Sequence, residues 1–154
     1  MRSSAKLRLL LDTTYILPIL GVEVEGVEGA LEALRRLKRR KQVEIYYSCY
    51  SILEATWKLA RLGYDASVVE TGLSLVVEEF GLLHPTPEGY LKALELRRRG
   101  FRDLIDLMLY ATALSNGALF LTRDVQLLRF LAEEGEDVSI VLFEGDFLEE
   151  FGQR

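Results

Sequence analysis

Five short apolar runs, each set apart from the next by a longer amphipathic stretch, constrain this 154-residue chain more than any other feature. Residues 7–11, broken only by Arg8, read as a buried strand that ends at Asp12. Residues 43–47 form the second run. The third, 82–84, is cut off by Pro85 and Pro87. Residues 118–121, entered through Gly117, and 138–143 complete the set. Between them, Ala30, Leu31, Leu34 and Leu37 recur at helical spacing within 27–41, and further helices are predicted from about 51 to 62, 66 to 80, 88 to 99, 103 to 115 and 125 to 133. The Gly- and Glu-rich stretch 21–29 reads as a loop. Strands separated by helices call for a mainly parallel sheet of four to five strands, covered on both faces through right-handed crossovers. No internal repeat, low-complexity tail or linker divides the chain, so one domain over residues 1–154 is expected.

Composition narrows the chemistry. Apolar residues at 49% and charged residues at 28% are the balance of an ordinary soluble globular protein. One cysteine, Cys49, excludes an internal disulfide framework and a cysteine-rich zinc site, and one histidine, His84, adds too little to change that. No apolar run reaches the roughly 18 residues that span a bilayer, so no membrane role is expected. The opening residues show no secretory pattern either, because the apolar stretch after Lys6 is short and Asp12 interrupts it; a cytoplasmic location is the expectation. A net charge of −5 argues against coating nucleic acid by bulk attraction, yet it leaves room for an enzyme that holds cations and acts on a polyanion.

In a parallel sheet covered by helices, every strand's C-terminal end and the start of every returning helix share one edge, where ligands bind. Asp12 ends the first strand. Glu54 falls in the first turn of the helix after the second. Asp103 and Asp106 open the helix leading into the fourth strand, and Asp124 follows that strand directly. Clustered carboxylates repel and tend to take up protons unless a cation offsets them. Oxygen-only ligands favour Mg²⁺ or Mn²⁺. Such an ion suits phosphodiester hydrolysis, because it acidifies a water, orients the phosphate and offsets developing charge. Each acid also has a plain structural explanation. Ser51 and Glu54 have capping-box spacing, while Asp103, Asp106 and Asp124 sit where helix caps and first-turn acids are common. Asp12 is the hardest to explain that way, since an acid ending a buried strand gains little from packing.

At these residues the sequence resembles the PIN-domain ribonucleases, including the VapC-type toxins. The resemblance rests on Leu9-Leu10-Leu11-Asp12-Thr13-Thr14, on Ile52-Leu53-Glu54-Ala55, and on the run from Asp106 through Ala111, Ala113 and Gly117 to Thr122-Arg123-Asp124. It covers about residues 7–143. It implies a three-layer α/β/α sandwich and metal-dependent endonucleolytic cleavage of RNA leaving a 5′-phosphate and a 3′-hydroxyl, with Asp12, Glu54, Asp106 and Asp124 holding Mg²⁺ or Mn²⁺ and Asp103 either sharing the ligand role or capping its helix. Thr13 and Thr122 would orient the carboxylates. The family often has Asn or Ser where Thr14 stands. A homodimer is implied, and an antitoxin partner if the chain is a toxin rather than an RNA-processing nuclease or a scaffold that has lost catalysis.

RNA needs a cationic approach. Arg102 and Arg123 are the favoured phosphate contacts, and the basic block 35–41 either guides RNA or pairs with Glu23, Glu25 and Glu28. Trp57 and Leu53, four apart on a helix, are expected in the core, as is Cys49; His84 is expected in a loop. A phosphoacceptor receiver domain also gathers acids at this edge, but it calls for a lysine after a late strand, and Ser139-Ile140-Val141-Leu142-Phe143-Glu144 has none.

Overall fold

Alternation along the central strand accounts for the layers. The computed structural model describes residues 5–152. β1 (Leu7–Leu11) sends Leu9 and Leu11 to one face and Leu10 to the other, and all three are buried. On the first face they meet Ile45, Tyr47, Leu121, Ala30, Ala33, Leu34 and Phe147; on the second, Leu10 meets Phe120, Ala93, Leu96, Leu107, Tyr110 and Leu127. Two apolar cores thus sandwich one sheet, the three-layer α/β/α arrangement expected.

The elements follow in the order β1, α1 (Thr13–Ile16), a 3-10 turn (Leu17–Leu20), α2 (Glu28–Arg39), β2 (Val43–Tyr47), α3 (Cys49–Leu62), α4 (Ala66–Glu79) and β3 (Gly81–Leu82). Then come α5 (Pro87–Arg98), α6 (Leu104–Asn116), β4 (Leu119–Thr122), α7 (Val125–Glu133), β5 (Val141–Phe143) and α8 (Glu144–Phe151). The five strands lie in the order β3-β2-β1-β4-β5 and every pairing is parallel. β1 is therefore central, with Leu10 opposite Tyr46 on one side and Leu11 opposite Leu121 on the other. Gly117 ends α6 in the left-handed region, at φ 63°, and turns the chain into β4. No helix among the described residues is long and apolar enough to cross a membrane.

Several local expectations are corrected. α3 begins at Cys49, because Ser48 is its N-cap and the Ser48 Oγ accepts the Tyr50 N–H at 3.1 Å. Glu54 accordingly lies in the second turn, and the capping box from Ser51 does not form. The inward row of α3 is Ser51, Ala55 and Leu59; Leu53 and Trp57 face outward, with Trp57 70% exposed. Their spacing of four showed that they share a face, but only the packing shows which face turns inward. Cys49 is exposed rather than buried. Residues 13–20 are helical, with Pro18 in the first turn of the 3-10 segment. β5 is shorter than expected: Asp137 accepts the Ser139 N–H at 2.9 Å in a turn that delays the strand to Val141. The terminal helix α8 was not expected at all.

Candidate metal centre

Asp12 is held from two sides. Its backbone N–H donates to the Leu121 carbonyl at 3.1 Å, extending the β1–β4 pairing past the strand end. Its Oδ2 accepts the Thr122 hydroxyl at 2.7 Å, and the same Thr122 Oγ1 accepts the Asp124 N–H at 3.1 Å. One hydroxyl at the end of β4 therefore links the two aspartates. Asp12 is only 7% exposed. Beside it the Thr13 hydroxyl, expected to orient a carboxylate, is also buried but has no hydrogen-bond partner among the described residues, so of the two threonines Thr122 alone takes that role.

Two of the acids do cap helices, as their positions allowed. Asp103 Oδ1 accepts the Asp106 N–H at the start of α6, and Asp124 Oδ1 accepts the Leu127 N–H at the start of α7, both at 3.1 Å. A carboxylate has about four lone-pair sites, so one capping bond leaves acceptor capacity over. One carboxylate oxygen each from Glu54, Asp103 and Asp106 lie within 4.8 Å of one another. Glu54 reaches this group from α3 without any capping role.

The electrostatics tie Asp12 and Asp124 to the same cluster. Burial pushes the Asp12 carboxyl up to about 6; the Thr122 hydrogen bond opposes this, while the charges of Glu54 and Asp124 add to it. Asp106 is pushed up to about 9, first by burial and then by Asp12, Asp103 and a hydrogen bond with Asp124. Burial and mutual repulsion thus favour the protonated form of both acids over the usual carboxylate range. The one arginine in the Thr122-Arg123-Asp124 segment is occupied elsewhere: its guanidinium donates to the Glu25 carbonyl at 2.8 Å and to Glu144 Oε2 at 3.2 Å. An all-oxygen donor set of this kind fits a hard divalent cation such as Mg²⁺ or Mn²⁺, and the unpartnered Thr13 hydroxyl is a further oxygen in the same segment.

The structure therefore brings Asp12, Glu54, Asp103, Asp106, Asp124 and Thr122 together. Arg102 is exposed in the turn before α6. In the basic block, Arg36 donates to the Phe151 carbonyl and Lys38 pairs with Glu79 at 3.3 Å, an acid other than those expected. His84 lies in the loop after β3, where its carbonyl accepts the Asn116 side-chain amide at 2.8 Å.

Two residues adjoining the centre escaped the sequence reading. Glu144, just after β5, is 8% exposed and accepts the Tyr15 hydroxyl at 2.8 Å on Oε1. The rule that singled out Asp12, an acid at the end of a strand, applies to Glu144 as well. Tyr15 is buried, and burial followed by the Glu144 hydrogen bond raises its phenol well above the usual range.

The family model described as PIN domain matches residues 9–131. No curated protein matches the sequence. Among solved structures, a chain of the VapBC2 complex from Rickettsia felis, bound to a DNA fragment from its promoter, superposes with a TM-score of 0.62 at 15% identity, covering 80% of this chain and 93% of that one. VapC20 from Mycobacterium tuberculosis, a sarcin-ricin loop cleaving toxin, gives 0.58 at 18% identity, with 81% and 94% covered. PAE2754 from Pyrobaculum aerophilum gives 0.53 at 22% identity, with 83% and 87% covered. At these identities the likeness concerns the fold.

Proposed function

The chain belongs to the PIN domain family, and from that premise we propose that it is an endoribonuclease dependent on Mg²⁺ or Mn²⁺ and the toxin of a toxin–antitoxin pair. The observation that carries the nuclease reading is the convergence of acids from four separated segments, with oxygens of Glu54, Asp103 and Asp106 within 4.8 Å of one another. When bound, a divalent ion supplies an acidified water and offsets charge at the scissile phosphate. Asp12, Glu54, Asp106 and Asp124 would hold it, with Asp103 contributing the oxygen its cap leaves over. Thr122 orients Asp12 through its hydroxyl, and Asp106 would coordinate as the carboxylate. Arg102, exposed before α6, offers a positive contact for the RNA backbone.

The toxin reading is supported by the similar solved structures, which include the VapBC2 complex from Rickettsia felis and FitAcB from Neisseria gonorrhoeae. A homodimer is supported by an outward apolar row. Leu53 and Trp57 stand exposed on α3, and Tyr90, Leu91 and Leu94 on α5. The Tyr50 hydroxyl donates to the Tyr90 hydroxyl at 2.7 Å, which joins the two rows.

The test is cleavage of single-stranded RNA by the purified chain with Mn²⁺. Asp12→Asn and Asp106→Asn should each abolish it while circular dichroism remains that of the parent. Full activity in either variant removes that residue from the mechanism, and Mn²⁺ binding without cleavage of any RNA replaces the nuclease reading with a scaffold.

A further inference from the structure

We propose that Glu144 is a positioning residue for this centre, its buried carboxylate clamping together the two segments that carry Asp12 and Asp124. The inference rests on the nuclease reading above. Parallel pairing places Phe143 of β5 opposite Thr122 of β4, so the chain leaving β5 delivers Glu144 beside residue 123. There its two oxygens divide. Oε1 accepts the Tyr15 hydroxyl at 2.8 Å, and Oε2 accepts the Arg123 guanidinium at 3.2 Å.

Each partner belongs to a segment of the centre. Tyr15 lies in α1, directly after Asp12, and its backbone N–H donates to the Asp12 carbonyl at 3.1 Å. Arg123 stands between Thr122, whose hydroxyl donates to Asp12 Oδ2, and Asp124, whose N–H donates back to that hydroxyl. The second guanidinium arm of Arg123 reaches the Glu25 carbonyl at 2.8 Å, so the loop ahead of α2 is tied in as well. A single carboxylate from the last helix thereby fixes the spacing between two ligand-bearing turns that are adjacent in the sheet but 110 positions apart in sequence. Burying a carboxylate is costly unless it is paired and hydrogen-bonded, and here both oxygens are used on residues that flank the centre. Nothing in this arrangement touches the reacting phosphate; Glu144 acts through Tyr15 and Arg123.

Glu144→Gln keeps the shape but cannot accept at both ends. In the metal-free chain, hydrogen exchange should quicken at the Tyr15 and Asp124 amides, which report the two clamped turns. In Mn²⁺ titrations of the full chain, half-saturation should move up about tenfold, the lower end of what removal of an orienting partner costs a metal site. Saturating Mn²⁺ should then recover RNA cleavage. Tyr15→Phe, which deletes one hydroxyl, should shift both readouts in the same direction by less. Phe147→Leu serves as the comparison, because it loosens α8 in the core without touching the carboxylate; it should lower the melting temperature and leave Mn²⁺ half-saturation unmoved. Parent-like exchange and Mn²⁺ binding in Glu144→Gln would overturn the proposal, and so would an equal shift in Phe147→Leu, which would make the role merely structural. Failure of the parent chain itself to bind Mn²⁺ would instead bring down the metal reading, and this inference with it.

Discussion

Removing the ion should turn Asp106 from an asset into a liability whose size depends on pH. Its carboxyl is pushed up to about 9 by burial and by Asp12, Asp103 and Asp124, while an unfolded aspartate titrates near about 3.9. Between about pH 5 and about pH 8 the folded metal-free chain thus holds one proton that the unfolded chain has released. The contribution is fully present below the unfolded value and is lost as pH rises toward the folded one. Stability should therefore fall with rising pH, by about 1.4 kcal/mol per unit for one such proton. Across about three units the loss is on the order of 4 kcal/mol, or roughly 10 °C in melting temperature for a domain of this size. Asp12, pushed up to about 6, should add to the decline in the lower part of the window. The assay is thermal denaturation in a chelator across this pH range, with Asp106→Asn beside the parent. The variant cannot ionise at that position, so its melting temperature should vary much less with pH and exceed the parent's at about pH 8. With saturating Mn²⁺ the parent's trend should reverse, because the ion displaces the proton and stabilises the fold it binds. Identical pH slopes for parent and Asp106→Asn without metal would refute the reasoning, whatever their activities.

Thr122→Val removes the donor to Asp12 and the acceptor for the Asp124 N–H, at a cost of about 1–3 kcal/mol in chemical denaturation. Because that hydroxyl favours the charged form of Asp12, the acid limb of the cleavage profile should move to higher pH. Phe120→Ala empties a fully buried position of β4 and should cost about 3–5 kcal/mol, leaving Mn²⁺ binding by the folded fraction unchanged. Trp57→Arg alters a 70% exposed side chain; monomer stability should change by less than about 0.5 kcal/mol, while sedimentation should show the proposed homodimer weakened relative to the parent.

Five apolar runs separated by helical stretches were enough to read a parallel sheet covered on both faces, and with it the edge where Asp12, Glu54, Asp106 and Asp124 would meet. That inference is local: strand and helix periods are written along the chain, and a parallel connection leaves no choice about which strand ends share an edge. Helix starts were read less well. Ser48 and Ser51 are both able to cap, and the choice of Ser48 moved Glu54 out of a capping position and left it free to join the acids. The phase of α3 was also undetermined, since the spacing of Leu53 and Trp57 marks a shared face without saying what lies against it.

Other features belong to the assembled molecule alone. Asp103 and Asp124 are helix caps and cluster members at once, because a carboxylate has acceptor sites for both and only the meeting of α3, α6 and α7 brings the second role about. Glu144 finds Tyr15 across 129 positions of sequence and engages the Arg123 guanidinium, once β5 has paired with β4. Sequence periodicity marked the five strands and most of the helices between them, while the order of the strands in the sheet and the helices at 13–20 and 144–151 came from the assembled structure. Which side chains then share a proton, a hydroxyl or a cation was decided in three dimensions, because those energies depend on distances between residues that the chain itself keeps far apart.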